Sequence, residues 1–302
     1  MQIAIASGKG GTGKTTVAVN LLLAVGSMVP STRPEEIVFL DCDVEAPNAH
    51  IFLKPTLKET DQVGLRQPKV DETKCTHCGT CAKVCAFNAI AVLGQKVIVF
   101  PELCHGCGSC TYNCPEGAIH EVFYPTGKLE WGTVYVNRHP MKFGQGILNI
   151  GEAMASPVIK TLKRKGIAKA NDSLTLLDAP PGNACPVVET MRGTDFVLLV
   201  TEPTPFGLHD LRTAVQVARD ELHIPVGVVI NRDGVGDKSV DAFCNEANIP
   251  ILMRIPLERR IAEAYAEGIS ILEVFPEYHR RFVELYQQIH AIVHNNKGGS
   301  RA

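Results

Sequence analysis

Six short apolar runs punctuate the chain: Ile3–Ala6, Ile37–Leu40, Leu174–Leu177, Phe196–Val200, Val226–Ile230 and Ile251–Ile255. They are continuous rather than alternating, a pattern that predicts parallel strands covered on both faces. Between most of them the apolar period lengthens to that of a helix, over Lys14–Val25, Ala184–Arg192, Leu208–Leu222 and Ser239–Ala247. Strands alternating with helices predict an α/β fold: a doubly wound, mainly parallel sheet with right-handed crossovers. The alternation breaks off after Leu40 and resumes at Leu174, so an insertion is expected inside one domain. A hairpin over Leu129–Val136 and a helix at about Pro157–Lys165 lead back into the sheet. The last predicted helix, Pro276–Val293, sets Phe282, Leu285, Tyr286, Ile289, Ile292 and Val293 on one face. Such a stripe is expected to dock on the domain rather than lie in a membrane surface. Residues 297–302 are expected to form a disordered tail.

The insertion, about Pro68–Tyr124, contains a repeat. CTHCGTCAKVCAFNAI over 75–90 recurs 29 residues later as CHGCGSCTYNCPEGAI over 104–119. Each copy reads C-x₂-C-x₂-C-x₃-C, the run that ligates cubane clusters in bacterial ferredoxins. The expected organisation is therefore a discontinuous domain, 1–67 with 125–296, carrying an α+β dicluster ferredoxin unit at 68–124. So small a unit has little core and is held together by its metal. In two-cluster ferredoxins the last cysteine of each run serves the other cluster. That assigns Cys75, Cys78, Cys81 and Cys114 to one [4Fe–4S], and Cys104, Cys107, Cys110 and Cys85 to the second. Zinc, which also uses C-x₂-C pairs, is the competing metal. Disulfides fit poorly: the first strand feeds directly into a phosphate loop, and no export signal is expected ahead of it. Pro115 follows Cys114 as in ferredoxins, whereas Ala86 follows Cys85, which should loosen the backbone there without removing the thiolate. His77 and His105 are expected to face solvent or bond cluster sulfur, since the thiolate sets are already complete.

Gly8-Lys9-Gly10-Gly11-Thr12-Gly13-Lys14-Thr15 satisfies G-x₄-G-K-[ST] between the first strand and the first helix. The glycines let backbone N–H groups wrap a phosphate chain at a helix start. Lys14 would neutralise β- and γ-phosphates, and the Thr15 hydroxyl would ligate Mg²⁺. The run Lys9–Thr16, with its additional lysine, resembles the deviant Walker A motif of the MinD/ParA/Mrp and nitrogenase iron-protein group. That resemblance implies that Lys9 reaches across a homodimer to the partner's nucleotide. Asp41-Cys42-Asp43 matches the group's switch I segment, with Asp43 positioning the attacking water. Asp178-Ala179-Pro180-Pro181-Gly182 matches Walker B and switch II; it implies Asp178 on magnesium through water and Gly182 sensing the γ-phosphate. Asn231-Arg232 matches the adenine-contacting asparagine and its neighbour, and Thr201–Pro205 matches the segment after the preceding strand. Taken singly, Asp43 is equally a capping residue and Asn231 a turn residue. The chain is identified as a member of the MinD-superfamily P-loop ATPases with an inserted ferredoxin domain.

With 45% apolar and 21% charged residues the chain can bury a large core, and its net charge of −2 offers no electrostatic case for nucleic acid or anionic membrane. No apolar run approaches the ~20 residues that span a bilayer, and a cytoplasmic location is expected. Of the eleven cysteines, Cys244 and Cys42 read as packing residues. Cys185, seven residues beyond Asp178, matches a cluster-holding position of the nitrogenase iron protein and is a candidate for transient metal handling. The expected cofactors are ATP, Mg²⁺ and two [4Fe–4S] clusters. The expected partners are a second copy or a paralogue, joined by nucleotide, and a redox protein or metallocluster client. Three functions compete: an ATPase gating electron transfer, a metal-cofactor assembly ATPase, and a redox-sensing positioning switch. Hydrolysis is expected to be slow and partner-stimulated.

Overall fold

The computed structural model describes residues 1–28, 37–167 and 173–299. All six apolar runs are strands of one nine-stranded sheet: β1 (Gln2–Ala6), β2 (Ile37–Asp41), β8 (Leu174–Asp178), β9 (Phe196–Thr201), β10 (Val226–Asp233) and β11 (Ile251–Pro256). Three strands missed by the apolar pattern, β3 (Thr56–Val70), β6 (Ile119–Val136) and β7 (His139–Leu148), complete it in the order β11-β10-β9-β1-β8-β2-β7-β6-β3. From β11 to β7 every pairing is parallel. Ile3, Ile5, Val38 and Leu40 are fully buried, as strands covered on both faces require.

Helices α1 (Lys14–Gly26) and α11 (Tyr278–Gly299) cover one face, where Leu21, Leu22, Phe282, Leu285 and Ile289 share a core with Ile3 and Ile5. Residues 297–299 thus continue the last helix, and 300–302 of the expected tail lie outside the described residues. Helices α5 (Ser156–Gly166), α6 (Cys185–Met191), α7 (Pro205–Val215) and α8 (Ser239–Glu246) bury apolar residues in two further cores, shared with Val38 and Leu40 and with Ala4 and Ala6. The helix expected over Leu208–Leu222 starts earlier, at Pro205, and ends in a π-helical stretch, Gln216–Glu221.

The insertion departs most from expectation. Leu129–Val136 is the end of β6, and it turns through Asn137-Arg138, both with positive φ as a type I′ turn requires, into β7. Strand β6 pairs with β7 only from Gly127 onward; Ile119–Pro125 pair with β3 alone, as far as Val70↔Ile119. This two-stranded ribbon runs about 25 Å past the end of β7 at ~3.3 Å per residue. The boundaries expected at 67/68 and 124/125 fall within its two strands, so sheet and insertion share continuous backbone.

At the ribbon's tip lie α3 (Thr80–Lys83), α4 (Ser109–Tyr112) and the antiparallel pair β4 (Ile90–Leu93) and β5 (Lys96–Val99). The repeat is present in the backbone: positive φ at His77, Gly79 and Asn88 recurs at Gly106, Gly108 and Gly117, each 29 residues on. No described helix is long and apolar enough to cross a membrane.

Candidate functional site

Register brings the phosphate loop and the acidic strand ends together. Asp178 at the end of β8 lies beside Ile5 of β1 and Asp41 of β2. Ser7–Gly13 then wraps into α1, whose first residue is Lys14. The Lys14 ammonium, buried, lies 2.7 Å from Asp178 Oδ1. Burial acts to lower the Lys14 pKa, but Asp178, helped by Asp43 and Asp41, holds it above its ordinary value. The second oxygen of Asp178, also buried, has no hydrogen-bond partner, which leaves an acceptor for a water or hydrated ion. Asp41 accepts from the N–H groups of Asp43, Asn48 and Ala49 at 3.0–3.1 Å and so holds the start of α2 (Ala49–Leu53). Burial and Asp178 raise its pKa to about 7. Burial likewise pushes Asp43 up to about 6, against the pull of Lys14.

An open cavity is lined by Ser7, Lys9 through Thr16, Asp43, Asn48, Pro181 and Tyr265. Asn48 and Tyr265 were not anticipated. Tyr265, on α9 (Arg259–Ala266), is fixed by Phe52 at 5.2 Å between ring centroids, a long-range placement without a local sequence signal. Gly8, Asp178, Gly182, Asn231 and Arg232 lie around this cavity rather than in its lining. Gly182 has φ of 94° and donates its N–H to Ser7 O at 3.2 Å. Asn231 Nδ2 donates to Thr12 O at 2.7 Å, and only glycine at 13 admits it: a Cβ there would lie 2.3 Å from that nitrogen. Arg232 NH2 donates to Gly11 O at 3.2 Å, and its NH1 lies 2.7 Å from Glu202 Oε1. The other oxygen of Glu202 lies 3.3 Å from Lys9 Nζ. Glu202 was not anticipated as a site residue.

The eight repeat cysteines separate into two cavities. One gathers Cys75, Cys78, Cys81 and Cys114; the other gathers Cys104, Cys107, Cys110 and Cys85. Each therefore takes three cysteines from one run and the last cysteine of the other. N–H groups of His77, Ala89 and Ala118 donate to Cys75, Cys85 and Cys114 Sγ at 3.2–3.4 Å. Hydroxyls of Thr80 and Ser109 lie at Cys78 and Cys107 Sγ and lower the pKa of those exposed thiols. His105 stacks on Phe87 with centroids 3.8 Å apart, and His77 reaches Glu72. Among the described residues no three His, Cys, Asp or Glu side chains converge to hold a single metal ion. Cys185, exposed, opens α6, while Cys42 and Cys244 are buried, and burial raises both their thiol pKa values.

Residues 3–271 match the family described as the CobQ/CobB/MinD/ParA nucleotide binding domain. The chain is 31% identical to the uncharacterized protein MJ0579 of Methanocaldococcus jannaschii, over 90% of this chain and 92% of that one. It is 25% identical to the iron-sulfur cluster carrier protein of Methanococcus maripaludis, over 90% of this chain and 78% of that protein. The septum site-determining protein MinD of Pyrococcus horikoshii, solved with Mg-ADP, superposes with a TM-score of 0.55 at 20% identity, over 95% of each chain, a likeness of fold.

Proposed function

The chain belongs to the CobQ/CobB/MinD/ParA nucleotide-binding family, and from that premise we propose an ATP-hydrolysing iron–sulfur protein in which nucleotide-driven dimer switching is coupled to electron transfer through two [4Fe–4S] clusters. The observation that carries this reading is the pair of four-thiol cavities on a ribbon that is continuous with the sheet bearing the phosphate loop. The donor sets fit cubanes: each offers four thiols around a volume, with N–H donors aimed at sulfur. A zinc site would need those thiols to meet at one point. When bound, such clusters carry single electrons at potentials set by their surroundings.

At the nucleotide, the N–H groups of the loop and of the α1 start cradle the phosphates. Lys14 moves from Asp178 to the β- and γ-phosphates, which frees a buried carboxylate beside the Thr15 hydroxyl; together these two would hold Mg²⁺, Asp178 through water. Asp43 orients the attacking water, and Gly182 follows the γ-phosphate. Turnover is slow until a partner completes the site. Exposed apolar residues support a face-to-face dimer: Phe206, Val235, Leu257 and Ile150 each follow the C-terminal end of a parallel strand, on the rim shared with the nucleotide cavity. Lys9 crosses that interface.

A second reading is a cofactor-assembly ATPase that hands metal to a client. It is favoured by exposed Cys185 seven residues past Asp178 and by the cluster-carrier relative. Reduction potentials of anaerobically purified protein without nucleotide, with MgADP, and with a non-hydrolysable MgATP analogue separate the two. Coupling predicts a shift, about 60 mV for each tenfold difference in nucleotide affinity between oxidised and reduced protein. Identical potentials in all three states would sink electron-transfer coupling and leave the assembly reading.

A further inference from the structure

We propose that Glu202 is a latch that holds Lys9 within its own chain, and that Arg232 is the second cation that lets the latch open. The proposal rests on the reading above that Lys9 acts across a dimer. The Glu202 side chain is only 9% exposed, and each of its oxygens has a cation: Lys9 Nζ at 3.3 Å and Arg232 NH1 at 2.7 Å. The carboxylate is set on rigid backbone. It directly follows β9, its carbonyl accepts the N–H of Thr204, and Thr204 Oγ1 in turn accepts from Gly207 N to cap α7. Arg232 is also pinned, by its bond to Gly11 O. Lys9 makes the longer contact, 3.3 against 2.7 Å, and although Arg232 is the more exposed of the two side chains (50% against 34%), Arg232 is held at both Glu202 and the loop carbonyl.

A carboxylate this buried with a single cation would resist losing it, because the uncompensated charge is costly to strand. Arg232 removes that penalty: when Lys9 leaves, Glu202 stays paired. The network therefore sets the ease with which Lys9 becomes available to a partner. Its two supports act in opposite directions. Weakening Glu202 frees Lys9; removing Arg232 tightens the hold on it.

The test begins without nucleotide. Dilute, anaerobically purified full-length protein is pulsed with an amine-acylating reagent, and Lys9 labelling is measured by mass spectrometry against exposed Lys54. Glu202→Gln should raise Lys9 labelling by about fivefold, the scale of a partly exposed ion pair; Arg232→Gln should lower it. Glu202→Asp, which keeps the charge for Arg232 but withdraws it from Lys9, should also raise it. Sedimentation then gives the concentration of non-hydrolysable MgATP analogue needed for half-dimerisation, which should fall in Glu202→Gln and rise in Arg232→Gln. Unchanged labelling in both Glu202 variants, or a rise in Arg232→Gln, overturns the latch. Labelling that responds while the dimerisation midpoint stays fixed overturns its control of assembly. A wild-type chain that stays monomeric with every nucleotide, with labelling still responsive, overturns the cross-dimer role of Lys9 and leaves Glu202 a local anchor.

Discussion

Asp43 occupies the cavity that holds the phosphate loop, and its environment makes it a poor carboxylate in acid. Burial and Asp178 raise its pKa from 3.8 to about 6 although Lys14 opposes them. Ionised Asp43 can orient water, and protonated Asp43 cannot, so hydrolysis should fall about tenfold per pH unit below pH ~6. Asp43→Asn should lower hydrolysis about a hundredfold and abolish that acid limb while sparing nucleotide affinity. A pH–rate profile of both proteins checks this; an acid limb retained in the variant would remove Asp43 from the role. The linkage to stability has the reverse sign from that of a salt-bridged acid. The folded pKa lies above the unfolded one, so Asp43 favours the fold below pH ~4, and that contribution is lost as pH rises through ~6. At neutral pH the Asn variant should therefore be more stable, by about 1 kcal/mol after allowance for its contact with solvent. The residues of this site were legible because a loop motif and strand-end acids are local in sequence. Glu202, Asn48 and Tyr265 were not, because each reaches the loop from a separate element.

Among the elements, α5 and α6 are joined by one side chain. Lys163 on α5 is buried, and its ammonium donates to the carbonyls of Glu189, Thr190 and Arg192 at 2.7–2.8 Å, capping the C-terminus of α6. Lys163→Met would strand those acceptors and should cost about 3 kcal/mol, read as a lower urea midpoint at unchanged slope. A change below ~0.5 kcal/mol, the range of ordinary surface substitutions, would mean that water replaces the ammonium. The ferredoxin-like unit has little apolar core without its ligands: its buried cluster is Cys81, Ile90, Val97, Cys110 and Ile119, two of the five being thiols of the proposed ligand sets. Iron chelation should thus raise hydrogen exchange across 71–118 while β1, β8 and β9 stay protected. Equal protection before and after would mean that the unit folds without its metal. The parallel strands were legible from continuous apolar runs. Strand β3 was not, because Lys58–Thr60 lie exposed at the sheet's edge and show no period. Strand β7 was hidden by glycine, which punctuates loops in a sequence. Here Gly144 is a strand position under Trp131, where a Cβ would lie 2.4 Å from the indole.

For the whole molecule, the consequence of the topology is that the ferredoxin unit stands on the nucleotide side. The strands of the ribbon, β6 and β3, lie four and five positions from β1, about 19–24 Å across the sheet, and extend about 33 Å of strand beyond the edge at which the phosphate loop sits. If two copies meet through their nucleotide faces, a partner's body must fill the space above that edge. Each arm then stands alongside the partner, and closure of the ATP site changes what the cluster cavities face. Such a dimer would link the two proposed chemistries by position, without any conformational wire through the sheet. A photo-crosslinking residue at Tyr112, which is 91% exposed on α4, should therefore join isotopically light and heavy chains when a non-hydrolysable MgATP analogue is present, and far less with MgADP. The same residue placed at Phe206, 79% exposed on the nucleotide rim, reports the face-to-face contact itself. Crosslinks at Phe206 without any at Tyr112 would show a dimer whose arms swing clear of the partner. Crosslinks at neither position would remove the face-to-face dimer, and with it the positional link between ATP and electron transfer.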